Sequence, residues 1–142
     1  MNQNYANHRR IVPMFHIFTF LLIVAVFIGA LVNLFHSFGT DNLYSASLIV
    51  VIAIILGFQF YYLRIFPLKA QDRVIRAEEN FRHYVLTGKP LDANLTIRQI
   101  IGLRFAEDEE FLELEKKAVA ENLSENDIKK TIKNWKADTY RV

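Results

Sequence analysis

The sequence contains no cysteine and is poor in glycine and proline, with five and three of these residues among 142. Without thiols this chain forms neither disulfide bonds nor thiolate metal sites. Asp, Glu, Lys and Arg are also absent from two long stretches, residues 13–38 and 43–63. Because 52% of the residues are hydrophobic, the chain is too apolar to be disordered. These absences indicate a protein whose apolar residues are gathered in two blocks.

Each uncharged block is long enough for a transmembrane helix, which needs about 20 apolar residues. We expect an all-α fold in which residues 13–66 form a transmembrane helical hairpin, with spans at about 13–36 and 43–66. Residues 1–12 would be a cytoplasmic segment, and residues 67–142 a cytoplasmic helical stalk followed by a small helical bundle. A cleaved signal peptide is the alternative for the first block, but such signals have a shorter apolar stretch of about 7–15 residues.

Basic residues predict the orientation of the hairpin. The connection at residues 36–42 has no Lys or Arg, whereas Arg9 and Arg10 precede the first block. Four further basic residues follow the second block: Arg64, Lys69, Arg73 and Arg76. Since cytoplasmic flanks carry the excess of Lys and Arg, we expect a multi-pass protein of the inner membrane with both termini in the cytoplasm.

Small residues recur at a spacing of four in both blocks, as Ala25 with Gly29 and Ala53 with Gly57. Faces of this kind let two helix backbones approach closely in a membrane. The short connection makes the two spans antiparallel neighbours, so we expect the two small-residue faces to pack on each other. The alternative is that these faces bind another protein.

An apolar stripe follows Pro67, a residue that either kinks a helix or restarts one. Its members are spaced four, three, four and three residues apart, and they are Ala70, Val74, Ala77, Phe81 and Tyr84. This spacing is typical of a coiled coil, but the stripe is short and its residues are small. We therefore expect it to pack against the rest of the tail rather than to dimerise alone. Gly88 and Pro90 predict the end of this helix.

Three further helices are predicted in the tail. The capping-box spacing of Thr96 and Gln99 opens a helix that ends near Ala106. Acidic residues at 108–110 mark the start of a second helix, because negative charge is favourable at a helix N-terminus. Ser124 caps a third helix, which we expect to end at Trp135. From Pro67 onward there are 14 basic and 14 acidic residues, so the tail as a whole is neutral.

Motifs for catalysis or cofactor binding are missing from the sequence. No glycine-rich phosphate loop precedes Gly88 and Lys89, and no HExxH pattern occurs among the four histidines. We therefore expect no enzyme activity, no cofactor and no metal site.

A basic patch near the end of the third tail helix allows two interpretations. It combines one aromatic residue with four lysines: Trp135, Lys129, Lys130, Lys133 and Lys136. Such a patch could meet anionic lipid headgroups or nucleic acid. Lysines near a helix C-terminus also complement the helix dipole, and this is the interpretation we favour. Nucleic acid is thus an unlikely partner.

The N-terminal residues 2–10 are rich in side chains that form hydrogen bonds. We expect this segment to pack against the tail through Tyr5 and His8, on the side of Phe81 and Tyr84. Together with Trp135, these four residues are the candidates for interactions.

Several stretches along the whole chain carry a resemblance to a known family. They are residues 3–8 with Pro13 and His16, and residues 82–89, 101–106, 120–124, 128–130, 133–135 and 141–142. In these stretches the sequence resembles an uncharacterised family of small bacterial two-span membrane proteins, some of which are labelled as transporter permeases. The resemblance implies a bacterial membrane protein and brings no catalytic or binding residues with it.

Three functional hypotheses follow. The favoured one is a non-enzymatic inner-membrane protein whose helical cytoplasmic domain binds a protein partner or forms a homo-oligomer, as an accessory or scaffold subunit of a membrane assembly. The alternative is a transport or channel component that acts as an oligomer or with an ATPase subunit, with His16 and Asn33 along its pathway. The third is an enzyme with a site at Glu79, Arg82 and His83.

Overall fold

The computed structural model describes residues 3–8 and 10–138, and the regular structure within them is helical. A π-helical segment, Met14–Thr19, runs directly into the first of five α-helices. These are α1 (Phe20–His36), α2 (Leu43–Thr87), α3 (Ile97–Leu103), α4 (Asp108–Ala120) and α5 (Glu125–Thr131). Over the described residues the only β-type pairing is an isolated antiparallel bridge between Ala106 and Trp135. The predicted all-α class is confirmed for this part of the chain.

Two helices are long and apolar enough to cross a membrane, Met14–His36 and Leu43–Thr87. The second is longer than the expected span, because α2 continues through Pro67 without a break. Proline removes one backbone hydrogen bond from a helix interior, but here it neither ends nor restarts the helix. Arg9, on which the orientation argument partly rests, lies outside the described residues.

The chain divides into two compact units. One is the hairpin, Ile11–Pro67, and the other joins the residues up to Arg10 with those from Leu68 onward. We call the second unit the tail bundle. The described N-terminal residues thus group with the tail, against which the sequence analysis expects them to pack.

The connection in the hairpin is fixed by hydrogen bonds to its own backbone. The Ser37 hydroxyl donates to the carbonyl of Asn33 at 2.8 Å, and the Thr40 hydroxyl donates to the carbonyl of Ser37 at 2.9 Å. Gly39 has φ +78°, a left-handed conformation that glycine adopts without steric cost. These contacts reverse the chain within residues 37–42, as the sequence predicts.

The two small-residue faces do not pack on each other. Ala53 is buried, whereas Ala25 and Gly29 are exposed, and a Cβ added at Gly29 would meet no atom within 4 Å. The one buried residue of α1 is Ala30, and the half-buried Ile23 and Phe27 border the same groove as Ala53 and Gly57. The expected packing of Ala25 and Gly29 on Ala53 and Gly57 is therefore wrong.

Local signals for helix ends in the tail are confirmed. Gly88 has φ +74° after the end of α2, and Thr96 and Gln99 form a complete capping box. The Ser124 hydroxyl accepts a hydrogen bond from the backbone of Asp127. Two helices are shorter than expected, since α3 ends at Leu103 and α5 at Thr131. After α5 the backbone becomes extended, which brings Trp135 beside Ala106.

The core of the tail bundle lies between α3, α4 and α5. Its largest fully buried side chains are Phe105, Phe111, Leu103 and Ile128. α3 and α5 approach closely at Gly102, where an added Cβ would lie 3.1 Å from a methyl carbon of Ile128 and 3.2 Å from the carbonyl oxygen of Glu125. Glycine is therefore required here for close helix packing.

Candidate functional site

The tail-bundle part of α2 has one buried face. Ile75, Glu79 and His83 recur every four residues, and each is less than 9% exposed. Side chains at this spacing share one side of a helix. Two of the three are polar, so α2 is held to the bundle by hydrogen bonds as well as by apolar contact.

Arg82 is the centre of the first polar cluster. Its Nε donates to the Asp108 carboxylate at 2.6 Å, one terminal nitrogen donates to Glu79 at 3.1 Å, and the other donates to the carbonyl oxygen of Ala106 at 2.7 Å. The guanidinium also lies 4.3 Å from the centre of the Phe111 ring. A planar fork of donors suits this arrangement, which a lysine could not reproduce.

Glu79 has a clearly shifted ionisation. Burial raises the pKa of the Glu79 carboxyl above its usual range, and the neighbouring Arg82 opposes this shift without cancelling it. Lys136 and Arg104 also favour the charged form, to a smaller extent. Glu79 therefore carries a desolvation cost that its ion pair only partly offsets.

His83 joins the end of α2 to α4. Its Nε2 lies 3.0 Å from a carboxylate oxygen of Glu115, and its Nδ1 lies 2.7 Å from the carbonyl oxygen of Lys89. The Thr87 hydroxyl donates to the carbonyl oxygen of His83 at 2.8 Å. Both ring nitrogens thus face oxygen atoms of the protein itself, and the geometry is that of a structural link.

The N-terminal segment packs on the tail, but on a different side from the one expected. Gln3 and the backbone of Asp138 exchange two hydrogen bonds, at 3.2 and 2.7 Å. The His8 ring stacks with Tyr5 and lies 5.8 Å from the Trp135 ring. The structure therefore brings Tyr5, His8 and Trp135 together.

Phe81 and Tyr84, the other two interaction candidates, take no part in this cluster. Both side chains are exposed, at 69% and 56%. The reason is the orientation of α2: its contact face runs through Ile75, Glu79 and His83, so Phe81 and Tyr84 point away from the bundle.

The basic patch at the end of the tail is divided in the structure. Lys129 is buried, donates to Glu125 one helical turn earlier and lies 5.2 Å from the centre of the Phe105 ring. Lys133 and Lys136 are exposed. Because Lys129 serves the internal packing, the four lysines do not present one continuous surface to an anionic partner.

The apolar stripe is exposed. It comprises Ala70, Val74, Ala77, Phe81 and Tyr84, and the exposed fraction of Val74 is 54%. The expectation that the stripe packs against the rest of the tail is therefore wrong. Polar residues hold the opposite face of α2 to the bundle. The spacing of apolar residues in the sequence does not reveal a contact face that is mainly polar.

The hairpin contains an apolar groove of about 580 Å³. Its lining has no charged residue and consists of Ile23, Val24, Phe27, Ala53, Ile54, Gly57, Phe58, Tyr61 and Tyr62. The polar candidates for a pathway lie elsewhere: the His16 ring contacts the backbone of Val12, and Asn33 is exposed.

A sequence profile of a family of unknown function, DUF6526, matches residues 1–142. The chain belongs to this family. The predicted membership of an uncharacterised family is thus confirmed. Comparisons with curated proteins and with solved structures found no match.

For this member of the DUF6526 family, the candidate site is the exposed stripe on α2. The sequence identified the residues of this stripe, but it did not show that they are exposed. Two charged neighbours were also missed, Arg73 and Glu78, which flank the stripe and are exposed. Their positions in the heptad pattern would have identified them.

In residues 3–8 and 10–138, no three His, Asp or Glu side chains come together as metal ligands.

Proposed function

We propose that this protein is a non-enzymatic scaffold of the bacterial inner membrane. The hairpin inserts into the bilayer with both termini in the cytoplasm, and the tail bundle binds a helical partner through the apolar stripe. The protein thereby holds its partner at the membrane surface as an accessory subunit of a larger assembly.

One observation carries the proposal of partner binding. Every exposed large apolar side chain in the described residues from 68 to 138 lies between Val74 and Leu86 of α2. Single exposed apolar residues are ordinary, but several on one side of a helix with an otherwise polar surface are typical of a binding site. Val74, Phe81, Tyr84 and Val85 share one side of α2, whereas Leu86 lies outside the stripe. A stripe with coiled-coil spacing favours another helix as the partner.

Membrane insertion is supported by the surface of the hairpin. Most of its large apolar side chains are exposed, among them Phe35, Tyr44, Phe58 and Leu63 at 57% or more. Contact between this apolar surface and water is unfavourable, whereas contact with lipid tails is not. A helical hairpin also satisfies its backbone hydrogen bonds internally, as a bilayer requires.

A non-enzymatic role is supported by the partners of the polar cluster. Glu79, Arg82 and His83 are the residues that an active site on α2 would use, and all three face groups of the tail bundle itself. Their contacts join α2 to the residues around Ala106 and to α4, which is what a rigid support for the stripe needs.

The membrane half of the proposal is tested by labelling single cysteines in a chain that has none. Asp41→Cys in the hairpin connection and Lys133→Cys in the tail both replace exposed residues. With a membrane-impermeant maleimide, Asp41→Cys should react in intact spheroplasts and Lys133→Cys only after lysis. The opposite pattern would overturn the orientation, and recovery of the chain without detergent would overturn the insertion.

The binding half is tested with a photoreactive phenylalanine analogue in native membranes. Placed at Phe81, it should form covalent adducts with a protein on illumination. Placed at Glu113, an exposed residue of α4, it should form none. Equal yields at the two positions, or no adduct at Phe81, would show that the stripe has no partner.

A further inference from the structure

We propose that the helical partner is a second copy of this chain, paired in parallel along the apolar stripe. The inference rests on the proposed membrane insertion, because two hairpins inserted with the same topology run in the same direction. A two-fold axis along the membrane normal relates two such copies and brings equivalent residues of their stripes to equal height.

The stripe has the register of a two-stranded coiled coil. Val74 and Phe81 occupy a positions of the heptad, and Ala70, Ala77 and Tyr84 occupy d positions. This seam is about 21 Å long at the rise of an α-helix. The β-branched Val74 at an a position is compatible with two strands, and the small Ala77 lets the backbones approach.

Charges beside the seam select the parallel orientation. Arg73 occupies a g position and Glu78 the e position of the next heptad, and both are exposed. Neither forms an ion pair within the described chain. In a parallel pair, Arg73 meets Glu78 of the partner subunit, and two-fold symmetry produces this contact twice. An antiparallel pair would join g to g and e to e, and the complementarity would be lost.

Pairing on this side leaves the tail bundle undisturbed. The residues that hold α2 to the bundle, Ile75, Glu79, Arg82 and His83, occupy b, c and f positions, away from the seam. Beside Ala77 a cleft of about 340 Å³ opens between α2 and the segment at Leu91. The backbone of Leu91 donates a hydrogen bond to Asn80, a g position, while Arg73 and Ala77 border the open cleft and are exposed.

Disulfide formation between single cysteines tests the pairing in the full chain in native membranes. Ala77→Cys places the thiol at a d position, where a parallel pair brings the two Cα atoms within disulfide range. Arg76→Cys, the matched control, replaces an exposed residue at a c position that faces away from the seam. Under mild oxidation Ala77→Cys should give a covalent dimer and Arg76→Cys only background. Equal yields would overturn the pairing.

Charge reversal in the Ala77→Cys background tests the register. Arg73→Glu replaces two attractive contacts by two repulsive ones and should lower the dimer yield about five- to tenfold. Adding Glu78→Arg should restore it. An unchanged yield with Arg73→Glu, or no recovery in the double variant, would overturn the parallel register.

Alkaline extraction of the same membranes separates failure of this inference from failure of the proposed function. A chain that alkali removes from the membrane contradicts the insertion on which both rest. A chain that resists extraction but forms no Ala77→Cys dimer contradicts only self-pairing, and a photo-adduct at Phe81 with another protein would then identify that protein as the partner.

Discussion

The hairpin and the tail bundle bury their side chains in opposite ways. The buried side chains of the hairpin are small, namely Ala30, Ala46, Ala53 and Ser37, and its large apolar side chains are mostly exposed. In the tail bundle the large side chains are inside, with Phe105 and Phe111 at 0% exposure. The bundle carries its own apolar core, whereas the proposed membrane insertion would cover the exposed apolar side chains of the hairpin. The stripe on α2 is the one place where the bundle resembles the hairpin.

Polar side chains show the same contrast. In the hairpin they bond to the backbone a few residues away, as the hydroxyls of Thr19 and Ser37 do. In the bundle they join distant segments, as Arg82 does with Ala106 and Gln99 with Leu123. Local bonds stabilise each hairpin helix separately, while long-range bonds make the bundle cooperative.

The largest expected effect comes from removing a core aromatic. Phe111→Ala should lower the free energy of unfolding of the tail bundle by about 3–5 kcal/mol, because it leaves a cavity and removes the ring beside Arg82. Urea unfolding of the purified full chain in detergent, followed by fluorescence of the single tryptophan, Trp135, measures it. Phe58→Ala in the hairpin, at a side chain 61% exposed, is the control and should leave this transition unchanged. Equal losses would mean that the two units unfold together.

The second largest loss of stability is expected when a buried charged side chain is removed, compared with a charged side chain on the surface. Arg82→Met removes a guanidinium whose side chain is 10% exposed, and it leaves Glu79 buried without its partner. We expect a loss of about 2–4 kcal/mol in the same urea experiment. Arg98→Met breaks a surface pair with Glu125 in which Arg98 is 72% exposed, and it should cost less than about 1 kcal/mol. A small loss for Arg82→Met would mean that the cluster contributes little to the bundle.

A pair of glycine substitutions sharpens the contrast in helix packing. Gly102→Ala should destabilise the tail bundle by about 1–3 kcal/mol, because the added methyl group overlaps Ile128 and the backbone of Glu125. Gly57→Ala in the hairpin meets no atom within 4 Å, and it should add up to about 1 kcal/mol of helix stability. Circular dichroism during titration with a denaturing detergent measures the hairpin variant. Destabilisation by Gly57→Ala would indicate that the groove closes on another helix.

Sequence reasoning predicted features that depend on neighbouring residues. The capping box of Thr96 and Gln99, the left-handed Gly88 and the cap at Ser124 were found because their chemistry is complete within a few positions. The all-helical class and the chain reversal after His36 follow from the same kind of signal.

Choices between helix faces were not predictable, because they depend on contacts between distant segments. The polar residues Glu79 and His83 form the contact face of α2, where Arg82 partly offsets the burial of Glu79 and Glu115 contacts His83. The apolar face was expected inside and is exposed. In the hairpin, likewise, the face of α1 with Ile23 and Phe27 displaced the one with Gly29. Periodicity defines the faces of a helix but not which of them meets a partner.

The smallest expected effect concerns the pH dependence of the bundle. Burial raises the pKa of Glu79, so the folded state holds this proton to a higher pH than the unfolded state does. The stability of the bundle should therefore fall as the pH rises from the usual titration range of a glutamate through the raised pKa, and become level above it. Glu79→Gln should flatten this slope in urea unfolding measured across the mildly acidic range. Glu113→Gln, at an exposed position, controls for the change in net charge, and an identical slope in both variants would contradict the assignment to Glu79.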